Sequence, residues 1–386
     1  MNVLVLLHRD LRPRDHPALV AAAGMGAVLP LFVADPGEWA GPGRAARQWD
    51  FVAEALAHAQ MRFAQAGAPL AVRLGDRVEV VSHLAARHRI GRIVSSTAPD
   101  ARLRAALGLP WEIIADGPAE VPVLTPVPGV EAGAIPPARG LRMAPDHCPN
   151  RQSGGDPAAL LGAARPAGRG SVGAMERSAS RLSAHLAWGT VSMTEAAQLP
   201  GTRARLALRA VAADPMPEDS GGPVPAAWSA GETGLPFADA CLRYLAATGW
   251  LPAPLRAMVG SVAVHLLGAG SRAAGLALAR LSTDFDAPLL WQGMAALRPC
   301  DPVRLGRRLD PQGAFIRRWL PELAGVPEAL VHAPWRWQGA KMLLGRRYPE
   351  PLADPATALA RARQPGGARP PRRRPNPAPG QLLLAL

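Results

Sequence analysis

The sequence predicts a parallel α/β domain followed by an all-helical domain, and three observations lead to this fold class. In the first 115 residues, short apolar runs alternate with longer segments of helical periodicity. Proline and glycine then dominate a stretch without any sustained period. Helical patterns follow one another after it. We therefore expect an α/β domain at 1–115, a linker at 116–169, a helical domain at 170–348 and a disordered basic tail at 349–386.

Five apolar runs in the first domain indicate strands. Continuous apolar strands separated by helices are typical of a parallel, Rossmann-like sheet that is covered on both faces. No G-x-G-x-x-G follows the first run, so the dinucleotide fingerprint is absent there. The clearest helix, at 45–65, is long and free of proline. The predicted strands are V-L-V-L-L (3–7), A-V-L-P-L-F-V (27–33), L-A-V-R-L (70–74), R-I-V (92–94) and W-E-I-I-A (111–115).

Helical patterns fill the second domain, apart from a proline- and glycine-rich loop at 214–225. The predicted helices are 182–198, 202–212, 237–247, 254–267, 272–281 and 315–320.

Composition limits the classes of protein to which the chain can belong. Three scattered cysteines without C-x-x-C spacing argue against a disulfide framework and against a zinc site, and no metal is expected. No apolar run approaches the roughly 20 residues of a membrane span, and the first strand does not have the pattern of a signal peptide. We expect a monomer in the cytoplasm. The formal charge of +13 indicates either a polyanionic partner or a composition in which arginine is merely abundant.

Four segments carry motifs in a fixed order along the chain. They are H-R-D-L-R-P-R-D-H-P-A-L (8–19), S-R-L-S-A-H-L-A-W-G (180–189), W-S-A-G-E-T-G-L-P-F-A-D-A-C-L-R-Y-L-A-A-T-G-W (228–250) and D-P-Q-G-A-F-I-R-R-W-L-P-E-L (310–323). In this order they resemble the DNA photolyase and cryptochrome family, of which the chain would be a divergent bacterial member. The resemblance implies an N-terminal antenna domain, a helical FAD-binding domain, UV-damaged DNA as partner, and an antenna pigment whose identity stays open.

A serine-containing segment precedes the first helix of the second domain. Serine hydroxyls and free N–H groups at a helix start can bind an anion, although such a serine is also an ordinary helix cap. The resemblance implies that this segment holds the FAD pyrophosphate. The family's leading threonine is replaced by Ala179, and its preceding tyrosine is missing near Ala167. The segment consists of Ser180, Arg181, Leu182 and Ser183.

Arg256 and Asp284 lie 28 residues apart, which is the spacing of the family's ion pair beside the flavin ring. A guanidinium there would stabilise the reduced flavin, and the carboxylate would orient the arginine. A structural salt bridge is the alternative. Phe285 and Asp286 complete a D-x-D segment. Its second carboxylate lies either on the ribityl and adenine side of FAD or in a solvated loop.

The resemblance also implies a chain of tryptophans that passes electrons to the flavin. Trp291 corresponds to its flavin-proximal member, and the middle member falls at Gly270 or Ser271, where no aromatic exists. We therefore do not expect an intact relay. The remaining tryptophans are predicted to be core or pocket-wall residues, with Trp250 on the substrate side; they are Trp228, Trp250 and Trp319.

Positions that hold the damaged bases in the family are altered. T-G-W is followed by L-P-A-P (251–254) instead of a segment with H-N-R, and W-R-E-F is not recognisable. Arg317 and Arg318 either face DNA or clamp a domain interface. The charged residues after the first strand are expected to form an ion pair between the domains; they are Arg9, Asp10 and Arg12. His16, His185 and His265 are expected to be packed or solvated.

Two functions remain open from the sequence. The first is light-driven repair of cyclobutane pyrimidine dimers by electron transfer from reduced FAD. The second is a cryptochrome-like blue-light sensor, or a degenerate scaffold that binds flavin or a partner without catalysis. The end of the tail, Q-L-L-L-A-L (381–386), resembles peptides that bind the bacterial sliding clamp, and folding back or no role are the alternatives.

Overall fold

The computed structural model describes residues 1–98, 101–163, 170–199, 216–218 and 221–364. The helix predicted at 202–212, the arginines at 369–374 and the segment 381–386 lie outside the described residues. The chain forms two compact units. Among the described residues, the first unit contains 1–147, 152–163 and 180–199, and the second contains 148–151, 170–179, 216–218 and 221–364.

A five-stranded parallel sheet forms the centre of the first unit, in the order β3-β2-β1-β4-β5. This confirms the predicted fold class. In register, Val3 pairs with Val28 and Leu4 with Leu29 across β1 and β2. The strands are β1 (Asn2–Leu7), β2 (Ala27–Ala34), β3 (Ala71–Leu74), β4 (Ile90–Ser95) and β5 (Trp111–Ile113).

Helices cover both faces of the sheet because alternate residues of each strand point to opposite sides. Val3 and Val5 belong to one core, and Leu4 and Leu6 belong to another. The helices up to residue 199 are α1 (Pro17–Met25), α2 (Pro36–Trp39), α3 (Ala46–Gln65), α4 (Arg77–Arg87), α5 (Ala101–Leu107), α6 (Ala158–Ala163), α7 (Val172–Ser178), α8 (Ser183–Trp188) and α9 (Met193–Ala197), and α7 belongs to the second unit.

The helix predicted at 182–198 is two helices, α8 and α9. The break is at Gly189, whose φ is 65°. A Cβ at this position would lie 2.0 Å from the carbonyl oxygen of Arg9, so the residue must be glycine for the backbones to approach. Ser192 then starts α9 with a capping box completed by Glu195. The sequence assigned this segment to the helical domain, but it packs within the first unit, where Leu11 N donates to Trp188 O at 3.3 Å.

The second unit is built from short helices around an apolar core. A central helix, Pro236–Thr248, packs against the helices Ala226–Ala230, Ala253–Ser261, Pro302–Leu309 and Ala314–Trp319. A π-helical turn, Val262–Leu266, continues the helix that ends at Ser261. These helices are α10 (Ala226–Ala230), α11 (Pro236–Thr248), α12 (Ala253–Ser261), α13 (Ser271–Leu281), α14 (Ala287–Ala295), α15 (Pro302–Leu309), α16 (Ala314–Trp319), α17 (Ala340–Leu343) and α18 (Pro355–Arg363), with 3₁₀ turns at Pro321–Leu323, Glu328–Leu330 and Pro334–Arg336.

The predicted tail begins too early at 349. Within it, α18 buries Ala358 and Leu359 in the core of the second unit. Asp354 caps this helix by accepting from the backbone N–H of Thr357, and Pro355 is its first residue. The composition of the whole segment concealed this helix because proline and arginine outnumber its few apolar residues.

No helix in the described part of the chain is long and apolar enough to cross a membrane.

Candidate functional site

Arg256 and Asp284 form the ion pair that the sequence predicted. The Nη2 atom of Arg256, on α12, lies 2.9 Å from Oδ1 and 3.0 Å from Oδ2 of Asp284, which follows α13. The side chain of Asp284 is 5% exposed and that of Arg256 is 25% exposed. The carbonyl oxygen of Leu251 accepts a third, longer bond of 3.4 Å from the same Nη2. The carboxylate is therefore buried and compensated by a half-buried cation.

The guanidinium of Arg256 retains unused hydrogen-bonding capacity. Its Nε atom is buried and has no hydrogen-bond partner among the described residues. A buried donor without a partner costs about 1–3 kcal/mol, so a ligand that offers an acceptor here is favoured. The acceptor-rich isoalloxazine edge of a flavin satisfies this requirement, and the residues present therefore fit the group.

A tight backbone junction holds the pair. Helix α11 ends at Thr248, and Gly249 follows with a φ of 67°. The carbonyl oxygen of Gly249 accepts from the backbone N–H of Thr283 at 2.8 Å, directly before Asp284. The residue that follows Gly249, Trp250, is 9% exposed and packs edge-on against Tyr244 at 6.4 Å between ring centroids.

Asp286 is buried and acts as the N-cap of α14. Its Oδ1 accepts from the backbone N–H of Leu289 at 3.5 Å. The solvated-loop alternative for this carboxylate is therefore wrong. Phe285, between the two acids, is half-buried.

The serine segment lies in the first unit, whereas Arg256 and Asp284 lie in the second. Neither serine caps α8 with its side chain: the N-cap is Leu182, and Arg181 before it has a left-handed φ of 56°. Ser180 Oγ accepts from Leu182 N at 3.5 Å. The Oγ atom of Ser183 is buried without a partner in the described residues. A hydroxyl free of a capping role is consistent with a ligand contact.

The four tryptophans that the sequence singled out all lie in the second unit. Trp228 is a core residue whose Nε1 donates to Val259 O at 3.0 Å. Trp291 is buried against Gly275, where a Cβ would lie 2.3 Å from the indole ring. Trp319 packs edge-on against Tyr244 at 5.3 Å. The core prediction therefore holds for Trp228, while the redox role of Trp291 stays a prediction.

Arg317 and Arg318 are both engaged within the second unit. Arg317 donates to Gln312 O at 2.6 Å and to Val326 O at 3.0 Å, and so fastens the turns on either side of α16. Arg318 contacts both carboxylate oxygens of Glu176, at 2.7 and 2.8 Å. These bonds favour a structural role for Arg317. DNA contact by either arginine stays a prediction.

The ion pair expected from the residues after β1 is formed differently. Asp10 accepts from Ser96 Oγ at 2.7 Å and lies 3.2 Å from His16 Nε2. Burial alone would raise the pKa of Asp10, but the hydrogen bond and charge of His16 lower it to about 2. Arg12 instead pairs with Asp116 at 2.5 Å. All five of these residues lie in the first unit, so the expected ion pair between the domains is not formed by Asp10 or Arg12.

The three histidines are packed, as expected. His16 and His185 are buried, and His265 is half-buried. His185 Nδ1 lies 2.8 Å from Thr190 Oγ1, and burial lowers its pKa to about 4. No group of three or more potential metal ligands occurs among the residues that the structure describes.

Sequence reasoning missed a buried carboxylate on α11. Asp239 accepts from Thr233 N at 2.9 Å, Thr233 Oγ1 at 2.6 Å, Gly234 N at 3.0 Å and Tyr348 Oη at 2.5 Å. Burial raises its pKa, and the bonds from Thr233 and Tyr348 oppose that rise. The available signal was a lone acid within an apolar helical pattern, P-F-A-D-A-C-L (236–242).

Comparison with known proteins identifies the family. Residues 182–365 match the family model described as the FAD binding domain of DNA photolyase, and residues 3–107 match the model described as DNA photolyase. The chain belongs to the DNA photolyase and cryptochrome family. The cofactor expected from the sequence, FAD, is confirmed by the first of these matches.

Curated relatives with similar sequences include deoxyribodipyrimidine photo-lyases and cryptochromes. A deoxyribodipyrimidine photo-lyase of Streptomyces griseus is 36% identical over 145 residues, which are 35% of this chain and 32% of that protein. Cryptochrome-2 of Arabidopsis thaliana is 35% identical over 150 residues, which are 34% of this chain and 24% of that protein. The matched segments thus span about a third or less of these relatives.

Solved structures share the fold over nearly the whole chain. A class III photolyase of Agrobacterium tumefaciens has a TM-score of 0.75 at 20% identity, covering 94% of this chain and 96% of that one. A Synechocystis cryptochrome has a TM-score of 0.78 at 18% identity, covering 93% and 98%. At these identities the likeness shows the fold alone.

Proposed function

We propose that the chain is a photolyase-like flavoprotein that repairs cyclobutane pyrimidine dimers in DNA. The observation that carries this proposal is the Arg256–Asp284 pair, whose guanidinium keeps a buried donor without a partner in the described residues. Bound FAD would supply light-driven electron transfer. Arg256 would hold positive charge beside the ring, and Asp284 would orient the guanidinium and offset its charge.

Other residues would contribute to flavin or substrate binding. Ser180, Arg181, Leu182 and Ser183 would contact the FAD phosphates, and the unused Oγ of Ser183 supports this. Asp286 would act on the ribityl and adenine side through its fixed position at the start of α14. Trp291 would face the flavin, and Trp250 would line the substrate side.

An arginine face on α15 supports DNA as the partner. Arg304, Arg307 and Arg308 are spaced three and four residues apart, so they lie on one side of the helix. All three are exposed, and none forms an ion pair within the described residues. The two acids that flank the helix accept backbone bonds: Asp301 from Val303 N and Arg304 N, and Asp310 from Phe315 N and Ile316 N. This face, which we call the α15 arginine face, suits the phosphates of duplex DNA.

The dependence of DNA affinity on salt tests this surface. Each lost phosphate contact lowers the slope of log affinity against log salt by about 0.9 on duplex DNA. The triple variant R304Q/R307Q/R308Q should therefore lose about 2–3 units of slope. A matched variant, R87Q/R102Q/R104Q, removes three exposed arginines from the first unit with the same change in charge. If both variants lose the same amount of slope, the DNA affinity comes from the net charge of the protein and not from the α15 arginine face.

A light sensor or non-catalytic scaffold is the second candidate, and one observation favours it. The segment after Trp250 that would contact a flipped base begins α12 with Pro252 as N-cap and Pro254 in the first turn. Leu251, Pro252 and Ala253 offer no polar side chain for Watson–Crick edges.

Two measurements separate these functions. An absorption spectrum of the purified or FAD-reconstituted protein tests flavin binding, and illumination with a thymine-dimer oligonucleotide tests repair. Light-dependent loss of the dimer, slow because of the altered pocket, supports the photolyase. A flavin spectrum without repair supports the sensor, and a colourless protein that FAD does not reconstitute supports the scaffold.

A further inference from the structure

Two backbone segments meet at Gly249 with almost no space between them. The φ of Gly249 is 67°, in the left-handed region that disfavours other residues. A Cβ built there would lie 2.1 Å from Oγ1, 3.1 Å from Cβ and 3.4 Å from N of Thr283. Thr283 itself is 2% exposed, so it has little room to retreat. The absence of a side chain at 249 therefore fixes how closely Thr283 approaches.

Both members of the Arg256–Asp284 pair are connected to this junction. Asp284 directly follows Thr283, whose N–H donates to Gly249 O at 2.8 Å. On the other side, Leu251 follows Gly249 by two residues and accepts from Arg256 Nη2. The backbone around Gly249 therefore contacts both the segment that carries the Asp284 carboxylate and the guanidinium of Arg256.

From this geometry we infer that Gly249 is a positioning residue that sets the contact between Arg256 and Asp284. The inference rests on the proposed function only for the measurements of flavin binding and flavin potential, and not for the measurement of stability. A methyl group at 249 requires Oγ1 of Thr283 to move by about 1 Å, since real contacts stay above 3.0 Å, whereas the Cβ and N atoms of Thr283, at 3.1 and 3.4 Å, can stay in tight contact. Because Thr283 is 2% exposed, its hydroxyl has little room to turn away, and the displacement passes to the backbone that leads into Asp284. A displacement of Asp284 by more than about 0.6 Å lengthens the bonds of 2.9 and 3.0 Å beyond the hydrogen-bonding range. The fold remains, but the pair opens.

The chain offers a matched control for backbone strain. Gly268 has a φ of 74°, and a Cβ there would meet nothing within 4 Å. G268A therefore carries the same left-handed penalty as G249A without the contact to Thr283. A rescue variant is available as well, because Thr283→Ala removes the Oγ1 atom that the new methyl group would strike.

The experiment compares G249A, G268A, T283A and G249A/T283A. The first readout is the FAD dissociation constant of the apoprotein, followed by flavin fluorescence, together with the midpoint potential of the bound flavin. We expect G249A to weaken FAD binding about tenfold and to make the potential more negative, because the positive charge no longer lies where reduction needs it. G268A should match the unmodified chain, and G249A/T283A should match T283A.

A second readout does not involve flavin. If G249A opens the pair, Asp284→Asn should cost far less stability in the G249A background than in the unmodified chain. The denaturant midpoints of the four corners of this cycle measure the difference. Additive effects would overturn the inference. Non-additive effects with unchanged FAD binding would keep the positioning role and refute the flavin assignment of the pair.

Other outcomes also decide the question. If G249A and G268A weaken FAD binding equally, the effect comes from backbone strain. If G249A/T283A binds FAD as weakly as G249A, Thr283 does not carry the displacement to the ion pair. Either result overturns the inference. If G249A alone does not fold, recovery of folded protein in G249A/T283A supports the inference, and misfolding of both variants overturns it.

Discussion

Replacing Tyr348 with phenylalanine should destabilise the second unit through the buried carboxylate of Asp239. The tyrosine hydroxyl is one of four donors to this group and lies 2.5 Å from Oδ2. Thr233 N and Gly234 N can only donate, and both hydroxyl partners can donate as well, so the ionised carboxylate is the form that all four partners satisfy together. Hydrogen bonds to charged groups contribute about 1.5–3 kcal/mol, and three donors remain. We expect a loss of about 2 kcal/mol, a roughly 30-fold change in the folding equilibrium.

The size of this loss should depend on pH. Burial raises the pKa of Asp239 above its ordinary value, so the folded protein holds this proton to higher pH than the unfolded chain. The contribution of such a group to stability is complete below its unfolded pKa and decreases as pH rises through its folded pKa. Losing the Tyr348 bond raises the folded pKa further. The deficit of Tyr348→Phe should therefore grow from mildly acidic to neutral pH.

Urea unfolding between pH 5 and 8, followed by tryptophan fluorescence, measures this deficit. The matched background is Asp239→Asn, in which the hydroxyl no longer faces a charge. There, Tyr348→Phe should cost much less, and its pH dependence should disappear. A deficit that is the same in both backgrounds, or that does not change with pH, would refute the electrostatic origin of the effect.

Three further predictions follow from the described contacts. Arg256→Ala leaves Asp284 buried without a counter-charge, at a cost of about 3 kcal/mol, and should release FAD or prevent stabilisation of its reduced form; Asp284→Asn should be milder. Unchanged flavin occupancy and potential in the alanine variant would contradict the pair. Ser192→Ala removes the capping box of α9 and should lower the free energy of unfolding, measured by chemical denaturation, by about 1 kcal/mol. An unchanged free energy of unfolding would show that the cap does not stabilise the protein. His185, with a pKa of about 4, should show no NMR titration between pH 5 and 8, and its contribution to stability should decrease as pH falls from about 6.5, where the unfolded chain takes up the proton.

The strands and longer helices could be predicted because their periodicity is set by local sequence. The strand predicted at 27–33 is Ala27–Ala34 in the structure, and the helix predicted at 45–65 is Ala46–Gln65. The exceptions were set by contacts distant in sequence. Gly189 divides a helix because the backbone of Arg9 passes against it, and α18 forms because a core is available for Ala358. Neither partner can be seen in the local pattern.

The candidate site was predictable only in part, because most of its contacts also join residues that are distant in sequence. Arg256 and Asp284 were found through a family spacing, and the structure brings them together. Asp239 was not found, because its partner Tyr348 lies 109 residues away. The role of Gly249 was hidden as well: the sequence shows a helix-ending glycine in T-G-W, but only the fold places Thr283 against it.

The start of α12 bears on both proposed activities, because it carries Arg256 and directly follows Trp250. Pro252 and Pro254 fix φ near the helical value before the first turn is complete, which favours a rigid start for the helix that carries Arg256. The same prolines carry no polar side chain, and they remove two backbone donors from that end of the helix. Under the proposed function, a rigid Arg256 would serve a bound flavin whether or not DNA is repaired, whereas a flipped base would need polar partners that Leu251, Pro252 and Ala253 do not offer. Flavin binding and dimer repair can therefore be lost independently, and for this reason they must be measured separately.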